Sequence, residues 1–132
     1  MRVPVLVEEI MKKNVTTVEP NASLKEALQV MKAKRLHCLI VNKTYESDAY
    51  GIITNTQILK KILAEDGDIE LLNVYDIYKK PAFAVSAKVD VKHAARLMLS
   101  HGVKRVVVTD NNELQGVLST TDLTAYLLSL VD

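Results

Sequence analysis

The chain has 132 residues, 48% of them hydrophobic and 25% charged, with a formal net charge of +1. That is enough apolar surface for an ordinary core, with no global field to recruit nucleic acid or a membrane surface. No apolar run reaches the roughly 18 residues needed to span a bilayer, and Val3–Val7 is too short for the apolar part of a signal peptide. The single cysteine, Cys38, excludes an intrachain disulfide and a cysteine-based zinc site. With no tryptophan and 5% aromatic residues, a stacking platform for single-stranded nucleic acid is poorly supplied. These features fit a cytoplasmic protein.

In chain order, Val15–Val18 reads as a short strand. Ser23 with Glu26 reads as a capping box for a helix whose Leu24, Ala27, Leu28 and Met31 share one apolar face. Cys38–Val41 is a strand of β-branched and apolar residues, and the loop Asn42–Tyr50 runs into a third strand, Ala49–Ile53. A helix is predicted over Asn55–Ala64, then a boundary at Glu65-Asp66-Gly67-Asp68 with Gly67 as the helix stop. A short helix over Ile69–Tyr78 leads into a second series. Ala82–Val85 is a strand. Asp90 caps a helix with Val91, Ala94, Ala95 and Met98 on its apolar face. The strand Arg105–Val108 turns at Asp110-Asn111-Asn112 into the strand Gln115–Leu118. The helix Thr120–Leu130 ends the series.

The two series are copies of one unit. Val7, Ile10, Lys12, Lys13 and Val18 match Val74, Ile77, Lys79, Lys80 and Val85. Lys25, Ala27, Met31 and Val41 match Lys92, Ala94, Met98 and Val108. The offset then falls by two residues, which places two extra residues in the Asn42–Tyr50 loop. The repeats are read as residues 1–66 and 67–132. A unit this small buries little apolar surface alone, so the copies are expected to pack on each other about a pseudo-twofold axis, with any cleft built from both.

One phrase recurs at a strand-to-helix junction: Gly51-Ile52-Ile53-Thr54-Asn55-Thr56-Gln57 and Gly116-Val117-Leu118-Ser119-Thr120-Thr121-Asp122. Two readings are open. A hydroxyl residue followed three positions later by a carboxylate or amide caps a helix and needs no ligand. The same residues also suit a nucleotide. A carboxylate such as Asp122 accepts the hydrogens of ribose hydroxyls, while Ser119 and Thr121 donate beside a helix N-terminus that favours anions. Gln57 brings one acceptor, a competing donor and an extra methylene, so its site is the weaker one.

With its duplicated β-α-β-β-α order, the chain resembles a tandem pair of CBS domains, a Bateman module of the stand-alone kind. The resemblance covers roughly Val7 to Leu130. It rests on the middle strands Leu36-His37-Cys38-Leu39-Ile40-Val41 and Val103-Lys104-Arg105-Val106-Val107-Val108, and on the closing Gly-x-x-[Ser/Thr]-x-x-[Asp/Asn] signature. It implies an α/β fold of two packed repeats and a regulatory module that binds an adenosine nucleotide (AMP, ADP or ATP) between them. S-adenosylmethionine is the next ligand candidate. By the resemblance, Asp122 takes the ribose, Ser119 and Thr121 line its pocket, and Thr16, Leu36 and His37 form the opposite wall. Lys104 and Arg105 take phosphates, and Arg105 is suited to bidentate contacts. A second, weaker site comprises Thr54, Thr56 and Gln57. Homodimerisation and an unidentified regulated protein are the implied partners, and a ligand-free dimerisation module is the alternative function. Leu59, Ile62, Leu123 and Leu127 would supply a dimer face or simply pack the core.

Other features read more plainly. Lys104-Arg105 also fits a solvated strand end, and His37 a partly buried, hydrogen-bonded side chain. Lys12-Lys13 and Lys79-Lys80 read as solvated ends of short helices, and Cys38 as a small core residue. His37, His93 and His101 lack metal-binding spacing, and no nucleophile–base pair can be assembled, so neither a metal site nor catalysis is expected.

Overall fold

The computed structural model describes residues 3–131. Its first series runs α1 (Val7–Ile10), β1 (Thr17–Val18), α2 (Leu24–Lys34), β2 (Cys38–Val41), β3 (Gly51–Thr54) and α3 (Asn55–Leu59). A π-helical turn, Lys60–Ala64, extends α3, and a 3-10 turn, Val74–Asp76, precedes the second series. That series is β4 (Ala84–Ser86), α4 (Val91–His101), β5 (Arg105–Asp110), β6 (Glu113–Ser119) and α5 (Thr120–Leu128).

Each series forms a three-stranded mixed sheet of identical topology, β1-β2-β3 and β4-β5-β6. The first two strands run parallel across a helical crossover, and the second and third are antiparallel. Asn111 and Asn112, at φ 50° and 62°, make the two-residue turn between β5 and β6, as the Asp-Asn-Asn signal predicts. The two helices behind the sheets bury matching residues: Leu24, Ala27 and Met31 on α2, and Val91, Ala94 and Met98 on α4. Ser23 Oγ accepts from the Glu26 N–H at 3.0 Å, and the Asp90 side chain accepts from the Lys92 N–H at 2.9 Å, so both expected caps form.

Packing divides the chain differently from the repeats. One compact unit is Thr16–Ala82; the other joins the chain up to Val15 with the chain from Phe83 on. The lead-in to each repeat is therefore anchored in the core of the other. Val74 is fully buried with Leu24, Met31, Leu39 and Ile53, and Val7 with Ala94, Met98, Val106 and Leu118. Each such burial contributes about 1.5–2 kcal/mol. Backbone bonds repeat the arrangement: Val74 N–H donates to Ala22 C=O, and Val7 N–H to Val89 C=O, both at 2.9 Å.

This lateral pairing explains why the helix expected over Ile69–Tyr78 shrinks to the single 3-10 turn Val74–Asp76. The Leu72 carbonyl accepts from Leu24, and Val74 and Tyr75 donate to Ala22 and Pro20, so groups that would close helical turns are spent on another segment. The helix expected over Asn55–Ala64 also changes character at Lys60. Glu65 N–H reaches back to Lys60 C=O and Gly67 N–H to Lys61 C=O, while Asp66 takes φ 57°.

Both α2 and α4 end in the left-handed conformation, at Arg35 (φ 56°) and Gly102 (φ 63°). Only the glycine takes that conformation without steric cost. Arg35 is exposed, so Arg35→Gly is expected to stabilise the protein by about 0.5 kcal/mol, net of the added freedom of the unfolded chain. Gly102→Arg should cost about 1 kcal/mol. Thermal melts of the two variants check this; a lower Tm for Arg35→Gly would mean that the Arg35 side chain contributes more than its backbone costs.

Candidate functional site

The repeated phrase lies where β3 enters α3 and β6 enters α5. Both junctions are reciprocal caps. Ser119 Oγ accepts from the Asp122 N–H at 3.1 Å, while Asp122 Oδ2 accepts from the Ser119 N–H at 2.8 Å and the Ser119 hydroxyl at 2.9 Å. Thr54 Oγ1 accepts from the Gln57 N–H at 3.3 Å, and Gln57 Oε1 accepts from the Thr54 N–H at 3.0 Å. The capping reading is therefore correct for both copies.

Capping leaves different chemistry behind in each. Asp122 is 9% exposed, one of two buried charged or polar residues among those described. Its Oδ2 is committed to Ser119, and Oδ1 remains an acceptor. The Lys12 ammonium stands 3.8 Å from Oδ1. That distance is too long for a charge-assisted hydrogen bond, so Oδ1 keeps lone pairs for an incoming hydroxyl. At Gln57 the cap already engages Oε1, the one side-chain acceptor oxygen, because a backbone N–H must face oxygen; the end of the amide outside the cap is its NH2, a donor.

The neighbouring residues follow from strand register. Arg105 lies directly opposite Ser119, and Cys38 opposite Thr54. Thr120 N–H donates to Lys104 C=O, and Asn55 N–H to His37 C=O, both at 2.9 Å. Asn55 Nδ2 also lies 3.5 Å from His37 Nδ1. One unit thus gathers Lys104, Arg105, Ser119, Thr121, Asp122 and Lys12. Thr16, Leu36 and His37 belong to the other unit with Thr54, Thr56 and Gln57. There Thr16 C=O accepts from Ile40 N–H, and Leu36 N–H donates to Met31 C=O. Lys104 and His37 are exposed, Arg105 is half-buried, and Thr121 is open to solvent.

Two fits beyond the structure itself bear on the whole chain. A family model described as CBS domain matches residues 7–64 and, again, residues 74–129. The chain belongs to the CBS domain family. An uncharacterized 33.4 kDa protein in the ribosomal RNA operon of Thermofilum pendens is 33% identical over 93% of this chain, which spans 44% of that relative's length. The hexameric CBS-CP12 protein from bloom-forming cyanobacteria is 35% identical, with a TM-score of 0.86, over 91% of this chain and 69% of that one. The CBS domain pair of protein MJ0100, solved in complex with 5'-methylthioadenosine and S-adenosyl-L-methionine, shares the fold: TM-score 0.84 at 22% identity, over 98% of this chain and 100% of that one.

In both CBS repeats the signature glycine answers to close approach rather than to backbone angle. A Cβ on Gly116 would meet the Lys12 carbonyl oxygen at 2.5 Å and Met11 Sδ at 2.8 Å. One on Gly51 would meet the Tyr78 ring at 2.5 Å and the Lys79 carbonyl oxygen at 3.0 Å. Across this gap Lys12 and Val117 exchange N–H···O bonds of 2.9 and 3.0 Å, and Ile52 and Lys79 do the same at 2.9 Å. Within the lysine pairs, Lys12 and Lys80 are thus not simply solvated helix ends. Lys12 is delivered to Asp122, and Lys80 closes on Asp48 at 2.8 Å. The sequence reading missed these contacts; the recurrence of the pairs at matching positions is the signal that could have found them.

Among the described residues, no cluster of three or more His, Cys, Asp or Glu side chains is placed to hold a metal ion, and no helix is long and apolar enough to cross a membrane.

Proposed function

We propose that this CBS pair is a regulatory, non-catalytic module of the cytoplasm whose Asp122 site binds an adenosine nucleotide: AMP, ADP or ATP. The observation that carries the reading is the Asp122 carboxylate. It is buried, locked by Ser119 through one oxygen, and leaves Oδ1 able to accept ribose hydroxyls. Lys104 and Arg105 at the start of β5, with the N-terminus of α5, suit the phosphates. Thr121 adds a hydroxyl. Thr16, Leu36 and His37 are proposed as further ligand-binding residues, and the Thr54, Thr56 and Gln57 site is proposed to bind more weakly. The adenosine compounds in the MJ0100 pair support an adenosine ligand and keep S-adenosylmethionine as the alternative. Binding would act on a regulated protein partner to the extent that the ligand prefers one state of the module over another.

Titration calorimetry with AMP, ATP and S-adenosylmethionine tests the reading. Asp122→Asn keeps a capping oxygen but replaces the free acceptor by a donor, as Gln57 does. It should fold like the wild type and lose affinity at least about tenfold. Asp122→Ala should lose binding and also about 1 kcal/mol of cap stability. Wild-type protein that binds no ribose-containing ligand would sink the proposal.

A second reading, a dimerisation module, is favoured by an apolar groove of about 430 Å3 whose lining includes Val5, Ala95, Leu99, Leu123 and Leu127. Leu99 is 74% and Leu127 64% exposed, and a second copy of the chain is the proposed occupant. Of the apolar residues expected on a dimer face, Leu59 and Leu127 point outward, whereas Ile62 and Leu123 pack against the cores. A Tm unmoved by millimolar nucleotide would favour this reading over the first.

A further inference from the structure

Lys12 is held by its backbone and free at its tip. The main chain is fixed to Val117 by two hydrogen bonds, and the lack of a side chain at Gly116 lets it come that close. The side chain is 71% exposed and ends 3.8 Å from Asp122 Oδ1. Lys80 and Lys88 close their ion pairs at 2.8 and 2.9 Å; Lys12 stands off. So exposed and open a pair adds little to stability. Its chemical effect is on whatever approaches Oδ1, since an ammonium on a flexible stem can pivot from the carboxylate to an adjacent anion without leaving the site. Lys104, Arg105 and the N-terminus of α5 already give this end of the unit a positive bias, and the Asp122 carboxylate only partly offsets it.

We propose that Lys12 sets the charge of the ligand that the Asp122 site selects, favouring a ribose that carries phosphate over neutral adenosine and over the cationic sulfonium of S-adenosylmethionine. The inference rests on the adenosine-binding reading above. With the ribose on Oδ1, Lys12 stays beside Asp122 and offers its donors to the phosphate. A neutral nucleoside gains nothing from it, and a sulfonium is repelled. At the other repeat Lys79 takes the matching backbone position beside Ile52, but Gln57 carries no charge to hold an ammonium in place.

The test compares AMP with adenosine on the wild type, Lys12→Met and Lys12→Arg, with circular dichroism and thermal melts confirming the fold. The AMP-to-adenosine affinity ratio should fall about fivefold in Lys12→Met, with adenosine bound as well as before or better, and should be kept in Lys12→Arg. Added salt should lower the wild-type ratio more steeply than that of Lys12→Met, in which Lys104 and Arg105 remain as the cations facing the phosphate. A wild type that binds both ligands and a Lys12→Met variant with the same ratio would overturn the role of Lys12 while leaving the Asp122 site standing. Equal loss of both ligands in Lys12→Met would likewise overturn it, as a purely structural effect. Wild-type protein that binds neither would overturn both proposals.

Discussion

Gly116→Ala is expected to destabilise the protein by about 2–3 kcal/mol, a fall in Tm of roughly 8–12 °C, whereas Gly51→Ala should cost less than half as much. The two glycines hold the same place in the repeated signature, so the difference must come from what each would meet. At Gly116 the nearest obstacle is backbone: the Lys12 carbonyl oxygen at 2.5 Å, followed by Met11 Sδ at 2.8 Å. Moving that carbonyl breaks the paired bonds between Lys12 and Val117 and shifts the chain that carries Val7 into the core. At Gly51 the nearest atoms belong to the half-buried Tyr78 ring, which can rotate aside, and the Lys79 carbonyl lies farther off at 3.0 Å. Thermal melts of the two single variants decide the matter. Equal losses would mean that the lead-in to the second repeat is held as rigidly as the lead-in to the first. Because Gly116 also sets where Lys12 lies, Gly116→Ala should bind AMP more weakly even at temperatures where it stays folded.

What could be read before the structure was whatever depends on near neighbours in the chain. The faces of α2 and α4 follow from apolar spacing over a few turns, and the hydroxyl-to-carboxylate spacing at Ser119 and Asp122 is itself a bond three residues long. The duplication then carried that local reading into a topology, and both sheets have it. What escaped was set by distant partners. The segment around Val74 looks helical by composition, yet its hydrogen bonds go to residues near Ala22. Lys12 and Asp122 belong to opposite ends of the chain, and no periodicity links them. The pairing of each lead-in with the other repeat's core has the same origin: Val7 and Val74 match each other in sequence, and that likeness is silent about which core each one fills.

Neutralising Asp48 is expected to lower Tm strongly at neutral pH and progressively less in acid. Asp48 lies in the loop where the first repeat carries its two extra residues, and it is only 5% exposed. Its carboxylate accepts from the Lys80 ammonium at 2.8 Å, the Thr44 N–H at 2.9 Å, the Thr44 hydroxyl at 3.1 Å and the Ala49 N–H at 2.9 Å. The Lys80 ammonium first, and those donors after it, hold the carboxyl well below the usual carboxylate range. Lys80 is raised in return, chiefly by its bond to Asp48. A carboxyl depressed on folding contributes stability that is complete above the unfolded pKa of about 3.9 and is lost as pH falls below it towards the folded value. The raised lysine contributes fully below about 10.4 and loses its contribution as pH rises through its folded pKa. The Tm gap between wild type and Asp48→Asn should therefore be flat from about pH 5 to pH 9 and narrow below about pH 4. Lys80→Met should cost more than Asp48→Asn at pH 7, because methionine leaves the buried carboxylate charged and without its cation, whereas asparagine removes the charge itself. Its gap should also close in acid, as protonation of Asp48 relieves the unpaired charge. Melts of the three proteins across this range separate charge from shape. A gap that stays constant down to about pH 2.5 would mean that Asp48 holds its loop by hydrogen-bond geometry alone.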